Sequence, residues 1–415
     1  VSTKPIKSAL IIRPDGMGDL ILFIPSLLAL KDELPHARIT VLIRKSFLEL
    51  AKLFDSTIYW ITTDLDPYTT GPELEKNEIN RLTKYFEETR ADIVLAACPR
   101  RNWLDHLAVY TLPDAKHIAF NSTERDPYFG LKLNLLLGQN ASLDYSHLAP
   151  PANADQDWER NYGLIETVLG KSVMHLPPDL KLDPNLVSNV DKILVERGLS
   201  SSEYVICAPA GSSHVSIKSW ASENYAEVLS WINKKYKSKI LIIGHTQESD
   251  TIKLITSEVK AKAAEVWLGS TGDLVILASL IARSKLYIGN DTGAMHLASA
   301  LGVPVVAIFG GGTWPRFKPA NSKCISLVNP LPCFDCHWNC PFGDAPCVKA
   351  IPVKDVKIAL ETVWNAKKDN FNEVLVLDEI DTKTKAIMKL TYEKFKISSD
   401  EHLKREQKLH EIAIL

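Results

Sequence analysis

Ile288-Gly289-Asn290-Asp291-Thr292-Gly293-Ala294-Met295-His296 joins an apolar strand-like run, Ser284 to Gly289, to an apolar helix-like run, Ala294 to Leu301. The stretch reads as a strand, a tight loop and a helix N-terminus. A helix start carries unpaired backbone N–H groups and the positive end of the helix dipole, so an anion fits there, and Gly293 lets a phosphate approach the backbone. A phosphate-bearing ligand is therefore expected. The plain alternative is that Asp291 and Thr292 cap the helix and Gly293 turns the chain. His296 falls about one turn into the helix, on the face of Thr292, Ser299 and Ala300. It reads either as a partly buried structural histidine or as a donor to a diphosphate.

Working outward, the same pattern recurs through the second half. The strand Tyr204 to Ala208 is followed by a glycine-bearing loop, Pro209-Ala-Gly-Ser-Ser-His-Val-Ser-Ile-Lys218-Ser-Trp220, in which Lys218 could bring positive charge to the same anion. The next strand, Lys239 to Ile243, ends in Gly244-His-Thr-Gln-Glu248. A carboxylate soon after a second strand suits the two hydroxyls of a ribose, and a solvated loop acid is the alternative. Asp273 to Ala282 reads as a helix. Leu301-Gly-Val-Pro-Val-Val-Ala-Ile-Phe309 and Gly310-Gly-Gly-Thr-Trp-Pro315 follow.

The first half opens in the same way. Ser8 to Arg13 is an apolar run ending in Pro14-Asp-Gly-Met-Gly-Asp19, and Leu20 to Leu30 reads as a helix carrying Pro25. Gly16 and Gly18 allow a tight loop at the carboxyl end of a first strand, where open α/β sheets place their ligands. Neither the G-x-G-x-x-G fingerprint nor the G-K-[ST] ending of a P-loop is present. Asp19 reads as a helix cap or as a carboxylate aimed into a cleft. Strand and helix then alternate: Arg38 to Ile43, Phe47 to Phe54, Ile58 to Ile61, Asn80 to Thr89 and Asp92 to Ala97. This predicts a parallel sheet covered on both faces. Asp64-Leu65-Asp66 looks like the D-x-D pair that holds a metal in some glycosyltransferases, but two acids in a polar loop are common. Pro113 to Trp158 is poorer in regular pattern and is expected to supply acceptor-side loops.

Composition bounds these readings. The chain has 415 residues, 46% of them hydrophobic, which suits two or three domains with full-sized cores. Its 48 Lys and Arg nearly balance 50 Asp and Glu, so no global field draws it to nucleic acid or to an anionic membrane. Val1 to Lys7 lacks a signal-peptide pattern, and the apolar runs Leu20 to Leu30 and His296 to Phe309 fall short of the roughly 18 residues of a membrane span. A cytoplasmic protein that does not span a membrane is expected. The Pro177-Pro178-Asp-Leu-Lys-Leu-Asp-Pro184 stretch breaks regular structure before helical pattern resumes at Leu186 to Gly198. The predicted organisation is a first domain over 1–175, a second over 176–366 and an extension over 367–415. Two sheets with facing loop ends predict a cleft between domains.

In this order and spacing the pieces resemble glycosyltransferase family 9, the ADP-heptose:lipopolysaccharide heptosyltransferases. The resemblance runs over about residues 8 to 366. It rests on Arg13 with Gly16-Met-Gly-Asp19, Pro209-Ala-Gly211 with Lys218-Ser-Trp220, Gly244 with Glu248, and Gly289 to His296 with Leu301-Gly-Val-Pro-Val. It implies an α/β protein of GT-B architecture, with two Rossmann-like domains facing across a cleft: an acceptor-side N-terminal domain and a nucleotide-sugar-binding C-terminal one. It implies inverting transfer of a heptose from ADP-heptose, without catalytic metal, to a saccharide, lipid-linked or protein hydroxyl.

Residue by residue, Asp19 matches the family's catalytic aspartate and Lys218 its phosphate-contacting lysine. Glu248 matches its ribose-side carboxylate, and Asp291, Thr292, Gly293 and His296 match its nucleotide-sugar motif. Ser212 and Ser213 stand near its phosphate-side hydroxyls. Arg13 is expected to hold an acidic acceptor such as a Kdo or phosphate group, or to be a surface arginine. The chain departs from the family at Gly310-Gly-Gly-Thr-Trp-Pro315, where a Gly-Pro-Thr/Ser-Asp-Pro turn is usual, and at His245, where a second glycine is common. Two readings of other kinds stand beside transfer: a catalytically silent nucleotide-sugar or glycan-binding protein, and a nucleotide-sugar epimerase on the same fold. An acceptor on a lipid would bring peripheral association with the inner face of the inner membrane.

Cys98, Cys207 and Cys324 lie in apolar surroundings and are expected to be core thiols. Cys333, Cys336, Cys340 and Cys347 fall within fifteen residues, interrupted by Pro341, Gly343 and Pro346. Four thiolates suit a structural zinc or iron, with His337 as a spare ligand, while reduced thiols and disulfides are the alternatives. Beyond a helix at Val353 to Ala366, the tail shows a strand-like Val374 to Leu377 and two charged helix-like segments, Thr382 to Lys396 and Asp400 to Ile412. Met388, Tyr392 and Phe395 share a helical face, which suits packing on the body or a homo-oligomer contact.

Overall fold

The computed structural model describes residues 5–68, 76–121, 145, 147–149, 155–188, 190–199, 204–210, 216–259, 264–270, 272–321, 323–329, 331, 333–334, 336–340, 342–366 and 373–376. The chain divides into two compact units, Val1–Pro177 and Pro178–Leu415.

In the first unit, runs of Ile, Val and Leu that are buried on both faces form a parallel sheet, as such runs do when helices cover it. Its strands are β1 (Ser8–Ile12), β2 (Arg38–Arg44), β3 (Tyr59–Thr63), β4 (Ile93–Ala96), β5 (Lys116–Phe120) and β6 (His147–Ala149), in the order β3-β2-β1-β4-β5-β6. Every pairing is parallel. The order reverses between β1 and β4, which makes the loop after β1 the switch point of the sheet, where doubly wound folds bind ligands. The helix after it, Met17–Glu33, continues through Pro25, and Asn161 Nδ2 donates to Leu22 O at 3.0 Å beside that break.

The second unit repeats the plan. Strands β7 (Tyr204–Ala208), β8 (Lys239–His245), β9 (Ala264–Gly269), β10 (Leu286–Asn290), β11 (Val305–Phe309), β12 (Cys324–Val328) and β13 (Glu373–Val376) form a parallel sheet in the order β13-β12-β11-β10-β7-β8-β9. Its switch point lies between β7 and β10. Gly289 is required there, because a Cβ on it would lie 2.6 Å from Ala208 O on the neighbouring strand.

Several elements differ from the sequence reading. The irregular-looking Pro113–Trp158 stretch contains β5 and β6. The single helix expected over Leu186–Gly198 is two short ones, Pro184–Ser188 and Asp191–Glu196. Asp66 pairs with Arg44 at 2.8 Å and Asp64 with Lys45 at 3.5 Å, so those two acids serve surface ion pairs. Cys98, Cys207 and Cys324 are core thiols, each fully buried. The expected tail helices, with Met388, Tyr392 and Phe395, lie outside the described residues. Among the described residues no helix is long and apolar enough to cross a membrane.

Candidate functional site

The residues expected from the sequence to meet an anion lie on β10, the loop after β7 and the helix that follows β10. Asn290, the last residue of β10, is fully buried and ties three segments together. Its Oδ1 accepts from Tyr225 Oη at 2.8 Å and Trp220 N at 3.4 Å, and its Nδ2 donates to Pro209 O at 2.7 Å. Trp220 is anchored a second time, its indole N–H donating to Ile351 O at 3.0 Å. Lys218, two residues before this fixed tryptophan, is thereby brought over the end of β10. Its ammonium lies 3.3 Å from Asp291 Oδ2, with the side chain 17% exposed.

The other oxygen of Asp291 faces His296, whose Nε2 lies 3.9 Å from Oδ1. His296 is 4% exposed and meets Phe317 edge-on at 6.2 Å. Thr292 is the N-cap of the helix Gly293–Ala300 but makes no side-chain cap bond. Its hydroxyl instead sits 3.4 Å from Tyr287 Oη. The first backbone N–H groups of a helix lack intrahelical acceptors, and the dipole there favours an anion.

Burial pushes the Tyr287 phenol well above its usual range, and Glu248 and Asp291 both add to the shift. Glu248 stands in the turn after β8. Its own Oε2 accepts from His245 N at 2.8 Å, closing the turn after β8, and burial raises its carboxyl above the ordinary value. His245, where the family more often has glycine, uses Nδ1 to accept from Gln247 N at 3.2 Å in the same turn. The structure therefore brings together Lys218, Asp291, Thr292, Gly293 and His296, while Glu248 closes the turn after β8. Ser212 and Ser213 lie outside the described residues. Asn290, Tyr287 and Trp220 were not singled out as site residues from the sequence; a polar residue closing an otherwise apolar strand was the available signal for Asn290.

In the first unit, the loop after β1 encloses a buried charge cluster. Arg13 is 1% exposed. Its guanidinium donates to Ala97 O and, at 2.9 Å, to Asp19 O, pairs with Asp15 Oδ1 at 3.2 Å and Asp157 Oδ2 at 3.7 Å, and lies over the Phe23 ring. The expectation that Arg13 holds an acceptor, or stands on the surface, is corrected accordingly: its donors face carbonyls and carboxylates inside the unit. Burial pushes the Asp15 carboxyl up against the pull of Arg13. Asp19 differs from Asp15 in being half-buried. Its Oδ2 accepts from Gly16 N at 3.2 Å in a capping box, and a Cβ on Gly16 would come within 2.7 Å of that oxygen. The cap reading of Asp19 is realised through one carboxylate oxygen; the other accepts no hydrogen bond from the described residues.

The cysteine-rich segment folds onto the loop after β11. His337 N donates to Gly312 O at 2.8 Å, and Gly311 N to Cys347 Sγ at 3.4 Å. Burial, then Cys336 and Cys340, push the Cys333 thiol up to about 11, and burial pushes Cys347 up to about 12. The four thiols feel one another, yet among the described residues no three His, Cys, Asp or Glu side chains are grouped to hold a metal ion. The expectation of a converged zinc or iron site at Cys333, Cys336, Cys340 and Cys347 is not met by this arrangement. Cys347 turns toward the Gly311 N–H, and ligation would need deprotonated sulfurs drawn to one point.

Comparison with known proteins bears on this geometry. The family described as glycosyltransferase family 9 (heptosyltransferase) matches residues 119–343. Lipooligosaccharide heptosyltransferase 2 of Campylobacter jejuni is 29% identical over 199 residues, a match spanning 46% of this chain and 58% of that protein. A family 9 glycosyltransferase structure from Veillonella parvula superposes with a TM-score of 0.68 at 18% identity, covering 86% of this chain and 97% of the other. The structure of Escherichia coli ADP-heptose lps heptosyltransferase II gives 0.63 at 19% identity, over 86% and 98%. The fold is the two-domain α/β fold of these proteins.

Proposed function

The chain belongs to glycosyltransferase family 9, and on that premise we propose that it is an inverting glycosyltransferase that moves a heptose from ADP-heptose to a saccharide, lipid-linked or protein hydroxyl. The observation that carries the proposal is the Lys218–Asp291–His296 group at the start of the helix Gly293–Ala300, on the switch point of the second sheet. A diphosphate leaving group needs positive charge and oriented N–H donors, and this is where the second unit concentrates both. We assign Lys218, Thr292, Gly293 and His296 to the diphosphate, with Ser212 and Ser213 as further hydroxyl donors to it. Asp291 holds Lys218 and His296 in place, and Glu248 takes the ribose. Residues 176–366 are thereby the donor-binding domain and 1–175 the acceptor-side domain.

Inversion requires attack on the anomeric carbon from the face opposite the departing diphosphate, with a base for the acceptor hydroxyl. We give that proton to Asp19, the half-buried carboxylate in the first turn of the helix after β1, and not to Asp15, which is engaged by Arg13. No metal enters this scheme. A zinc or iron at the cysteine segment, if bound, would be structural and would have to draw its four thiols together. A lipid-linked acceptor would place the reaction in the cytoplasm at the inner face of a membrane.

The cap bond of Asp19 favours one other reading, a protein that binds nucleotide sugar without transferring it. A donor screen separates the two: ADP-heptose and other nucleotide sugars are incubated with candidate acceptors, and products are read by mass spectrometry. Acceptor-dependent ADP release with a mass gain of one heptose is expected. Donor binding without any product would support the silent binder, and conversion of donor without acceptor would indicate an epimerase.

A further inference from the structure

The cysteine-rich segment carries one side chain that reaches the Lys218 group. Trp338, in Cys336-His337-Trp338-Asn339-Cys340, places its ring centroid 4.9 Å from Lys218 Nζ. We propose that Trp338 is a positioning residue of the donor site, holding the Lys218 ammonium where a phosphate oxygen of the ligand meets it. The inference rests on the nucleotide-sugar reading given above.

Three independent observations support it. The loop Gly310-Gly311-Gly312 makes room for the segment: a Cβ on Gly310 would lie 2.7 Å from Trp338 Cη2, and one on Gly312 would lie 2.3 Å from Cδ2 and Cε2. None of these glycines has a positive φ, so backbone conformation does not require them, whereas the indole and the Phe334 ring on Gly311 do. Next, His337 and Trp338 adopt φ of 49° and 63° in succession, left-handed conformations that cost energy for residues with side chains. That backbone is what lays the ring on the glycine loop. Finally, Trp338 Nε1 is buried and has no acceptor among the described residues, so no hydrogen bond of its own competes with the ring's place beside Lys218.

The physical role follows from how an ammonium is shared. Lys218 has three N–H donors, and Asp291 takes one at 3.3 Å. A second carboxylate would take another donor and cancel the charge. An aromatic face attracts the cation through its quadrupole, adds no negative charge, and shields the lysine from water on that side. The remaining donors stay available to an anionic ligand, in a place fixed by two rigid neighbours.

The test uses the full chain and calorimetric titration with ADP and with adenosine, which lacks phosphate. Trp338→Leu should weaken ADP about fivefold to tenfold, the range expected for losing a partly desolvated cation–π contact, and should leave adenosine unchanged. Trp338→Phe, which keeps an aromatic face, should recover most of the loss. Lys218→Met should show the same ADP-selective loss, and the Lys218→Met, Trp338→Leu pair should lose little more than Lys218→Met alone. Where Trp338→Leu fails to fold, Gly312→Ala serves, since its methyl takes the place of the indole without altering the tryptophan. Wild-type ADP affinity in Trp338→Leu or Gly312→Ala, equal losses for ADP and adenosine, or a Trp338→Phe as weak as Trp338→Leu would each overturn the proposal. A wild-type chain that binds no ADP would instead contradict the nucleotide reading itself.

Discussion

Asn290 shows how one buried amide organises the proposed donor site. Removing it strands the Tyr225 hydroxyl and the Pro209 carbonyl in a water-free place, and unpaired buried polar groups are costly. Asn290→Ala should therefore lower stability by roughly 2–4 kcal/mol, read from denaturant midpoints. Thr292→Ala should cost less than about 1 kcal/mol, because that hydroxyl makes no cap bond. If the two variants lose equal stability, Asn290 is not the anchor described. At this scale the sequence was partly legible. Asp291, Thr292, Gly293, His296 and Lys218 could be picked out because charged or turn-forming residues interrupt apolar runs. Arg13 could not be placed, because nothing local reveals that Asp157, more than a hundred residues on, comes to share its guanidinium.

At the scale of elements, β7 and β10 must touch closely for Lys218 to reach Asp291. Gly289→Ala would press a methyl on Ala208 O of the adjoining strand. We expect a loss of roughly 1–3 kcal/mol in stability, as for other overpacked cores, together with weaker ADP binding, both measurable on one preparation. Unchanged stability and affinity would show that the strands can part without consequence.

The helix Trp103–Thr111 makes a pH prediction. Its Asp105 accepts from the Asn102 backbone and side chain, yet is fully buried, and burial pushes the carboxyl up to about 7. The folded state then holds this proton more tightly than the unfolded chain does, so its contribution is full below about pH 4 and is lost as pH rises through about 7. Melting temperature should fall from pH 5 to pH 8 in the wild type and fall less in Asp105→Asn. An identical slope in the two proteins would contradict this. That helix, with β5 and β6, was not legible in the sequence: β5, buried on both faces, lacks the alternation that marks a half-exposed strand, and β6 is a three-residue edge strand. β7 and β10, equally buried, were legible because each apolar run stops at turn-forming residues, Pro209 after β7 and Asp291 to Gly293 after β10.

At the scale of the whole molecule, two doubly wound sheets each end a first strand in a glycine-bearing loop, and the account gives the two loops different work. The recurrence of that pattern made the two-unit α/β plan readable from the sequence. The cysteine segment was readable as a unit but not as a metal site, since spacing alone does not say where each sulfur turns. Metal analysis of the reduced protein decides between a bound metal and free thiols in this segment. A stoichiometric metal, lost on changing Cys333, Cys336, Cys340 and Cys347 to serine, would show that the segment rearranges to bind it.

The division of work is tested most directly by turnover, ADP affinity and melting temperature measured together for Asp19→Asn. Asparagine caps a helix about as well as aspartate, so the capping role survives the change and folding should hold. It cannot take a proton from an acceptor hydroxyl. The account predicts that turnover falls by roughly 10²–10⁴-fold while ADP affinity and melting temperature stay near the wild-type values. Turnover above about a tenth of wild type, with the chemical step rate-limiting, would contradict it and remove Asp19 from the mechanism.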